Sequence, residues 1–322
     1  MWDDAAHMSI TVVGSVAFDS VATPFGERER MLGGSAVHFA LAASFFTEVR
    51  VVGVVGDDFG DEHAGVLTKR GVDVEDLEHV PGGETFFWRG RYGYDLNSRD
   101  TLDTQLNVFA GFQPKLSEAS RKAGGLFLGN IQPELQAAVR AEYLGGGLVG
   151  LDSMNLWIDT EREALLDVVA QVDALLLNDG EVRDLTREPN TVRAARRLHE
   201  IGPRLVVVKR GEYGAALFSD EGFFGIPGYP LETVVDPTGA GDCFAGGFLG
   251  YLEGHGGATP TEDVLHRAMA VGSVMASFNV EGVGTERLLR LTDAAIRQRY
   301  ESFRSMMSLD SLRLDSALRA GL

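Results

Sequence analysis

From Ile10 the chain reads ITVVG, a β-branched apolar run closed by Gly14. Comparable runs recur as VRVVGVVG around Val51, GLFLG around Phe127, GLVGLD around Val149, VDALLLN around Leu175 and RLVVVK around Val207. Short runs that are apolar at nearly every position predict strands covered on both faces. Between them, residues 35–46, 61–70, 133–143, 160–169 and 191–201 carry their apolar side chains at helical spacing. Strand and helix alternate, and parallel strands need crossover connections that bring helices with them. The pattern predicts an α/β fold with a mostly parallel central sheet.

One stretch departs from the alternation. Residues 84–109, ETFFWRGRYGYDLNSRDTLDTQLNVF, are rich in aromatic and β-branched residues and lack a helix period, which predicts a small antiparallel insertion. Such a piece between two α/β units folds over a ligand and excludes water, or pairs with a second subunit through its exposed edges. The reading allows residues 15–32 a contribution to this lid. After Tyr213, GAALFSDEGFFGIPGY predicts an antiparallel hairpin at a sheet edge, and helices dominate from Gly241 to Phe303. No internal repeat, low-complexity tract or linker interrupts the chain. The organisation expected is one domain over residues 9–307 carrying the lid, with terminal extensions at 1–8 and 308–322.

Charge narrows the function classes. The 322 residues hold 29 basic and 47 acidic side chains, a net −18, and such a surface repels phosphate backbones and anionic lipid. Neither nucleic acid nor membrane is an expected partner; the acidity also suits concentrated salt. No apolar run approaches a membrane span, and the N-terminal MWDDAAHMSI lacks the basic and apolar parts of an export leader. The single cysteine, Cys243, excludes an internal disulfide framework and a multi-cysteine zinc site. A cytoplasmic protein acting on small molecules is the expectation.

The most informative segment is VVDPTGAGDCFAGG, residues 234–247. A strand ends at Asp236, Gly239 and Gly241 let the backbone turn tightly, and a helix begins around Asp242 with Phe244, Phe248 and Leu249 on its buried face. Unpaired amides at such a helix start, reinforced by the helix dipole, converge on an anion. A carboxylate beside a phosphate nest repels the ligand the nest attracts. Asp242 therefore needs a further purpose, and taking a proton from an attacking hydroxyl supplies one. The plainer alternative makes Asp242 a helix cap and the glycines a mere turn. No GxxxxGK[ST] is present, and Phe244 stands where GxGxxG requires its third glycine, so P-loop and dinucleotide readings fail.

Asp236-Pro237-Thr238-Gly239-Ala240-Gly241-Asp242 resembles the C-terminal signature D-T-x-G-A-G-D of the ribokinase-like, or PfkB, carbohydrate kinases, with Pro237 in the second position. The resemblance extends to Gly14-Ser15-Val16-Ala17-Phe18-Asp19, to Gly33-Gly34, to VVGVVGDDFGDEHAGVLTKRGVD, to Asn178-Asp179-Gly180-Glu181, to VKRGEYG at 208–214 and to MASFNVEGVG. It covers the chain from Ile10 to about Arg304. It implies a ribokinase-like three-layer α/β/α sandwich with a small β lid. The activity implied is ATP- and Mg2+-dependent transfer of the γ-phosphoryl group to a hydroxyl, the primary one first, of a sugar or sugar-like polyol.

The same resemblance implies residue roles. Asp242 would be the general base, and the amides of Gly239, Ala240 and Gly241 would receive the charge of the transferred group. Asn178 and Glu181 match the family's N-x-x-E element, which places Mg2+ and phosphate oxygens, often through water; read alone, Glu181 is a solvated helix charge. Asp236 and Thr238 would help coordinate a monovalent cation such as K+. Lys209, Gly211 and Gly214 would border the nucleotide, the plain alternative being a turn between strands, and Asn279 lies where the family lines the adenine pocket. At the acceptor end stand Asp19, Gly33, Gly34 and His38, the last replacing the asparagine of many relatives and so weakening the case for ribose itself. Asn107 and Asn130, like Gln132 and Asn155, are polar groups near strand ends available to hydroxyls. Residues 152–157, DSMNLW, lack the arginine that acid-sugar kinases of the family carry, which disfavours a keto-acid sugar.

In the lid, Trp88, Tyr92 and Tyr94 offer aromatic faces to a nucleobase or sugar, and Arg89, Arg91 and Arg99 offer charge to a phosphate or carboxylate. Two alternatives stand beside the sugar kinase: a nucleoside kinase of the same fold, and a non-catalytic sugar or nucleotide sensor. A homodimer would form through the lid.

Overall fold

The computed structural model describes residues 8–255 and 257–307; apart from Met8, the expected terminal extensions lie outside the described residues. Thirteen strands occur among them: β1 (Ser9–Val13), β2 (Ala17–Thr23), β3 (Gly26–Gly33), β4 (Glu48–Val55), β5 (Leu77–His79), β6 (Phe86–Tyr92), β7 (Arg99–Gln105), β8 (Gly125–Leu128), β9 (Val149–Leu151), β10 (Ala174–Asn178), β11 (Leu205–Lys209), β12 (Ala215–Ser219) and β13 (Gly222–Ile226). Nine form one sheet in the order β13-β12-β11-β10-β9-β8-β1-β4-β5. Pairing is parallel from β5 to β11 and antiparallel for the edge hairpin β12-β13.

The continuously apolar strands divide their side chains between two cores, as the period of two requires. On one face Val12, Val51, Phe127, Leu176 and Val207 pack with the helices Ser35–Ala43, Ala240–Glu253 and Glu262–Asn279. On the other, Val13, Val52, Leu128, Leu175, Leu177 and Val208 meet the helices Pro133–Glu142, Arg162–Val169, Asp179–Thr186 and Thr191–Ile201. Three layers result, and the helix expected at 160–169 is two, Asn155–Thr160 and Arg162–Val169, meeting at Glu161 with φ −136°.

The remaining strands form a separate sheet, β3-β2-β6-β7. The insertion at 84–109 is the antiparallel pair β6-β7, as expected, and it joins the antiparallel hairpin β2-β3 through a parallel contact of β2 with β6. Two hairpins lie side by side: the chain leaves the first at Gly33, builds part of the main sheet, and returns at Phe86. The first hairpin supplies half the lid's strands, more than the sequence suggested. Its β3, GERERMLG, exposes its first five residues and so carries no apolar pattern to read.

Close approach of two helices fixes the site. Gly246 and Gly250 lie on one face of Ala240–Glu253 against Phe39 and Ala43, and a side chain at either would meet backbone of the neighbouring helix. The starts of Ser35–Ala43 and Ala240–Glu253 are thereby held together at the lid side of the sheet.

Candidate active site

Polar residues collect where the parallel strands end, the usual position of a ligand crevice in such sheets. Asn130 follows β8, Asp152 follows β9, Asn178 ends β10 and Lys209 ends β11. The strand connections diverge from β1 towards β4 on one side and β8 on the other. Asp19 from the lid strand β2 stands over this point.

The signature loop is bound by its own first residue. Asp236, 3% exposed, accepts the Thr238 N–H at 2.9 Å on one oxygen and the Gly284 N–H at 3.0 Å on the other. Gly239 then takes φ 75°, ψ 2°, the left-handed conformation that opens the helix Ala240–Glu253. The Ala240 N–H donates to the Pro237 carbonyl at 3.2 Å and the Cys243 N–H to the Gly239 carbonyl at 2.9 Å. Of the three predicted nest amides Ala240's is therefore engaged in the turn, while those of Gly239 and Gly241 make no backbone bond among the described residues, and the Asp242 N–H serves its own carboxylate. Asp242 is half-buried beside them. Burial, with the Asp152 carboxylate, raises its proton affinity to a pKa of about 7 against the pull of Lys209 and Arg99.

Behind the loop, His38 is 1% exposed with its ring against Gly239, where a methyl group would overlap the imidazole. Burial holds its pKa below the usual range and it stays neutral. Asn279 is wholly buried and donates to the Thr238 carbonyl at 2.7 Å. The structure thus places both against the signature loop, on its buried side.

At the acceptor end, Asp19 lies directly over Gly33, where any side chain would collide with its carboxylate, and it accepts the Gly34 N–H. At Gly34, φ 94°, any side chain would collide with the Ser15 carbonyl. Asp19 is 7% exposed, and burial raises its pKa to about 7, with Asp236 and Asp242 adding to the rise. Asn107 donates to the Thr85 carbonyl at 2.9 Å at the base of the lid, and Asn130 accepts the Trp157 indole N–H at 3.0 Å. Both are half-buried.

On the donor side, Asn178 and Glu181 close a reciprocal capping box: each side chain accepts the other's backbone N–H at 2.8 Å. Burial first, then Asp152, raises the Glu181 pKa to about 7. Gly211 (φ 55°) and Gly214 (φ 93°) shape the turn after β11, and Gly214 packs on the backbone of residues 226–228. Lys209 runs inward from that turn: its Nζ is 2.6 Å from Asp152 Oδ2, with the side chains 15% and 8% exposed.

The lid is closed over this cleft. Thr238 donates to the Tyr92 hydroxyl at 3.2 Å, and at the tip of the β6-β7 hairpin Asn97 donates to Glu212 at 3.2 Å. Arg99 stands opposite Tyr92 in the ladder, its guanidinium 5.3 Å from the Trp88 ring, and its charge lowers the pKa of Asp19, Glu181 and Asp242 alike. The sequence reading gave Tyr92 an aromatic face for a base or sugar and Arg99 a charge for a phosphate or carboxylate, quoted Asp152 without a role, and did not single out Asn97. The signal for Asp152 was present, a polar residue closing an apolar strand as Asn178 does; that for the lid residues was not, because a hairpin's sequence does not say what its face meets.

Three comparisons bear on this geometry. Residues 149–289 match the family model described as pfkB family carbohydrate kinase. The cytidine kinase of Thermococcus kodakarensis is 31% identical over 254 residues, 77% of this chain and 90% of that protein. The chain belongs to the pfkB family of carbohydrate kinases. Fructokinase-2 of Zea mays is 29% identical over 266 residues, 76% of this chain and 77% of that protein. In structure this pfkB kinase resembles the nucleoside kinase of Methanocaldococcus jannaschii, with a TM-score of 0.74, 20% identity, and 93% and 100% of the two chains covered. It also resembles the Vibrio cholerae fructokinase in its fructose-, ADP- and calcium-bound form, with a TM-score of 0.75, 21% identity, and 92% and 100% covered. These likenesses establish the ribokinase-type fold with its β lid, and family membership makes the chain an ATP-dependent phosphotransferase. Among the described residues no helix is long and apolar enough to cross a membrane.

Proposed function

We propose that this kinase phosphorylates the primary hydroxyl of a sugar or sugar-like polyol, bound between Asp19 and Asp242. The observation that carries the reading is the nearness of two carboxylates beneath the lid, Asp19 buried and Asp242 half-buried, each close enough for the charge of Asp242 to raise the proton affinity of Asp19. Asp19 sits on a glycine pair that leaves no side chain in the way, and Asp242 sits at an open helix start. Asp19 accepts hydrogen bonds from neighbouring hydroxyls. Asp242 takes the proton of the attacking hydroxyl as its oxygen bonds to the γ-phosphorus and the bond to the β-phosphate oxygen breaks. The Gly239 and Gly241 amides and the helix dipole hold the transferred oxygens. Gly211 and Gly214 let the backbone approach the nucleotide, and the closed lid keeps water from the phosphoryl group.

Among the described residues no cluster of three ligating side chains forms a metal site. On this reading Mg2+ would be held chiefly by substrate phosphates and water. Asn178 and Glu181 would anchor it, since Glu181 commits one oxygen to the Asn178 amide and keeps the other for a metal-bound water. Bound there, Mg2+ would neutralise charge on the phosphates. Asp236 and Thr238 would hold a monovalent cation, which turnover in K+ against Na+ reports. The reading places the enzyme in the cytoplasm, where ATP is supplied, and pairs two copies through the lid edges β3 and β7; light scattering of the purified protein tests the pairing.

A nucleoside is the second acceptor considered, favoured by Trp88, which pairs with Asp19 in the lid ladder and offers a face for a base. An ADP-release screen over free sugars, polyols, sugar phosphates and nucleosides decides between them: signal from nucleosides alone overturns the first acceptor. Asp242→Asn is expected to keep ligand binding and lose at least about 1,000-fold in turnover. Unaltered turnover refutes the base, and binding without turnover in the wild type supports a sensor.

A further inference from the structure

The Lys209 ammonium is turned away from the nucleotide-side turn. It lies under the anion nest, where a methyl group built on Gly241 would stand 3.1 Å from Nζ, and its direct partner is Asp152 at 2.6 Å. Asp152 is itself fixed: its other oxygen accepts the Ser153 N–H at 2.8 Å, and its carbonyl accepts the Gln136 amide at 3.0 Å. A buried ion pair of this kind contributes little net stability, because desolvation of both charges offsets their attraction. Stability alone is therefore a weak reason for one here, beneath the phosphoryl-transfer centre.

We propose that Asp152 and Lys209 are positioning residues for phosphoryl transfer, Asp152 pinning the lysine so that its charge acts on the Gly241 amide and Asp242 from behind. The inference rests on the assignment of Asp242 as base. The charges facing Asp242 are Asp152 and Lys209 from the strand ends and Asp19 and Arg99 from the lid, while its helix neighbour Cys243 is a buried thiol whose pKa burial pushes up. Three carboxylates, Asp152, Glu181 and Asp242, surround the one lysine. Without it their repulsion would keep Asp242 protonated and would oppose an incoming phosphate. With it free of Asp152, the base would lose proton affinity.

The two partners of the pair should therefore move the acid limb of the kcat/KM profile in opposite directions. Lys209→Met is expected to shift it upward and Asp152→Asn downward, each by about one pH unit. Removing one charge leaves the other buried and unpaired, so folding is protected by the double variant Lys209→Met/Asp152→Asn, which removes both charges. Its melting temperature should stay near that of the wild type while kcat falls about 100-fold with little change in KM for ATP. Recovery of wild-type kcat in the double variant overturns the proposal, since the pair would then be packing alone; so do single variants whose acid limbs shift in the same direction. Asp242→Asn, measured in parallel, separates the two levels: if it is inactive while the double variant is fully active, only the present inference fails, and if it is active the base assignment fails with it.

Discussion

At Gly239 the chain needs both a left-handed backbone and room for His38, and no other residue provides both. Gly239→Ala should lose most turnover and about 1–3 kcal/mol of stability, read from kinetics and chemical denaturation. Conservation of loop geometry by Asn279 predicts the same target: Asn279→Ala frees the Thr238 carbonyl and should lower kcat more than it raises KM for the nucleotide. Asp242 titrates near 7 because burial and Asp152 disfavour its charge. A base must be deprotonated to act, so kcat/KM for the acceptor should fall with a slope of one decade per pH unit below about pH 7 and level off above it. A profile flat from pH 5 to 8 would contradict the assignment. At this scale the glycines and acids of the signature were readable in the sequence, since each has one physical reason to be there. The burial of His38 and Asn279 beneath the loop was not, because a side chain's neighbours across the fold leave no trace in its own segment.

The helices Ser35–Ala43 and Ala240–Glu253 work as one element, the first carrying the glycine pair of the acceptor end and the second the nest. Gly250→Val would insert two methyl groups against Ala43 and separate them. The expected result is destabilisation of about 2–4 kcal/mol with an acceptor KM raised in the protein that still folds. On the proposed function the lid would act through its hairpin tip and Arg99. Asn97→Ala removes the bond to Glu212 and should increase ATP hydrolysis without acceptor relative to transfer, a ratio measured by ADP release against phosphorylated product. An unchanged ratio would mean that the tip contact does not govern closure. The parallel strands β1, β4, β8, β9, β10 and β11 were legible because each is a largely buried apolar run, whereas β5, three residues with none buried, gave no such signal. The hairpin β2-β3 was harder to see: β3 turns its charged residues to solvent, and the hairpin's place in the lid depends on β2 pairing with β6, more than fifty residues later in the chain.

Across the whole molecule, function is held at the expense of stability. Asp19, Glu181 and Asp242 each have folded-state pKa values of about 7 against ordinary values near 4. Between those limits the native state binds more protons than the unfolded chain, so their contribution to stability is lost as pH rises from 4 to 7 and stays lost above. Asp242→Asn should therefore raise the melting temperature by a few degrees at pH 8, and the gain should shrink toward pH 5; a gain independent of pH would point to another cause. The amino-acid order alone determined the layered α/β fold, the family and the place of the signature loop. Those follow from local periodicity and from a short signature whose backbone demands are met within a few residues. Tertiary structure decided the parallel joining of the two lid hairpins, the arrival of Arg99 over the cleft, and the pairing of Asp152 with Lys209 below it. Each of these brings together groups distant in the chain, and their energies exist only once the sheet order has set those groups side by side.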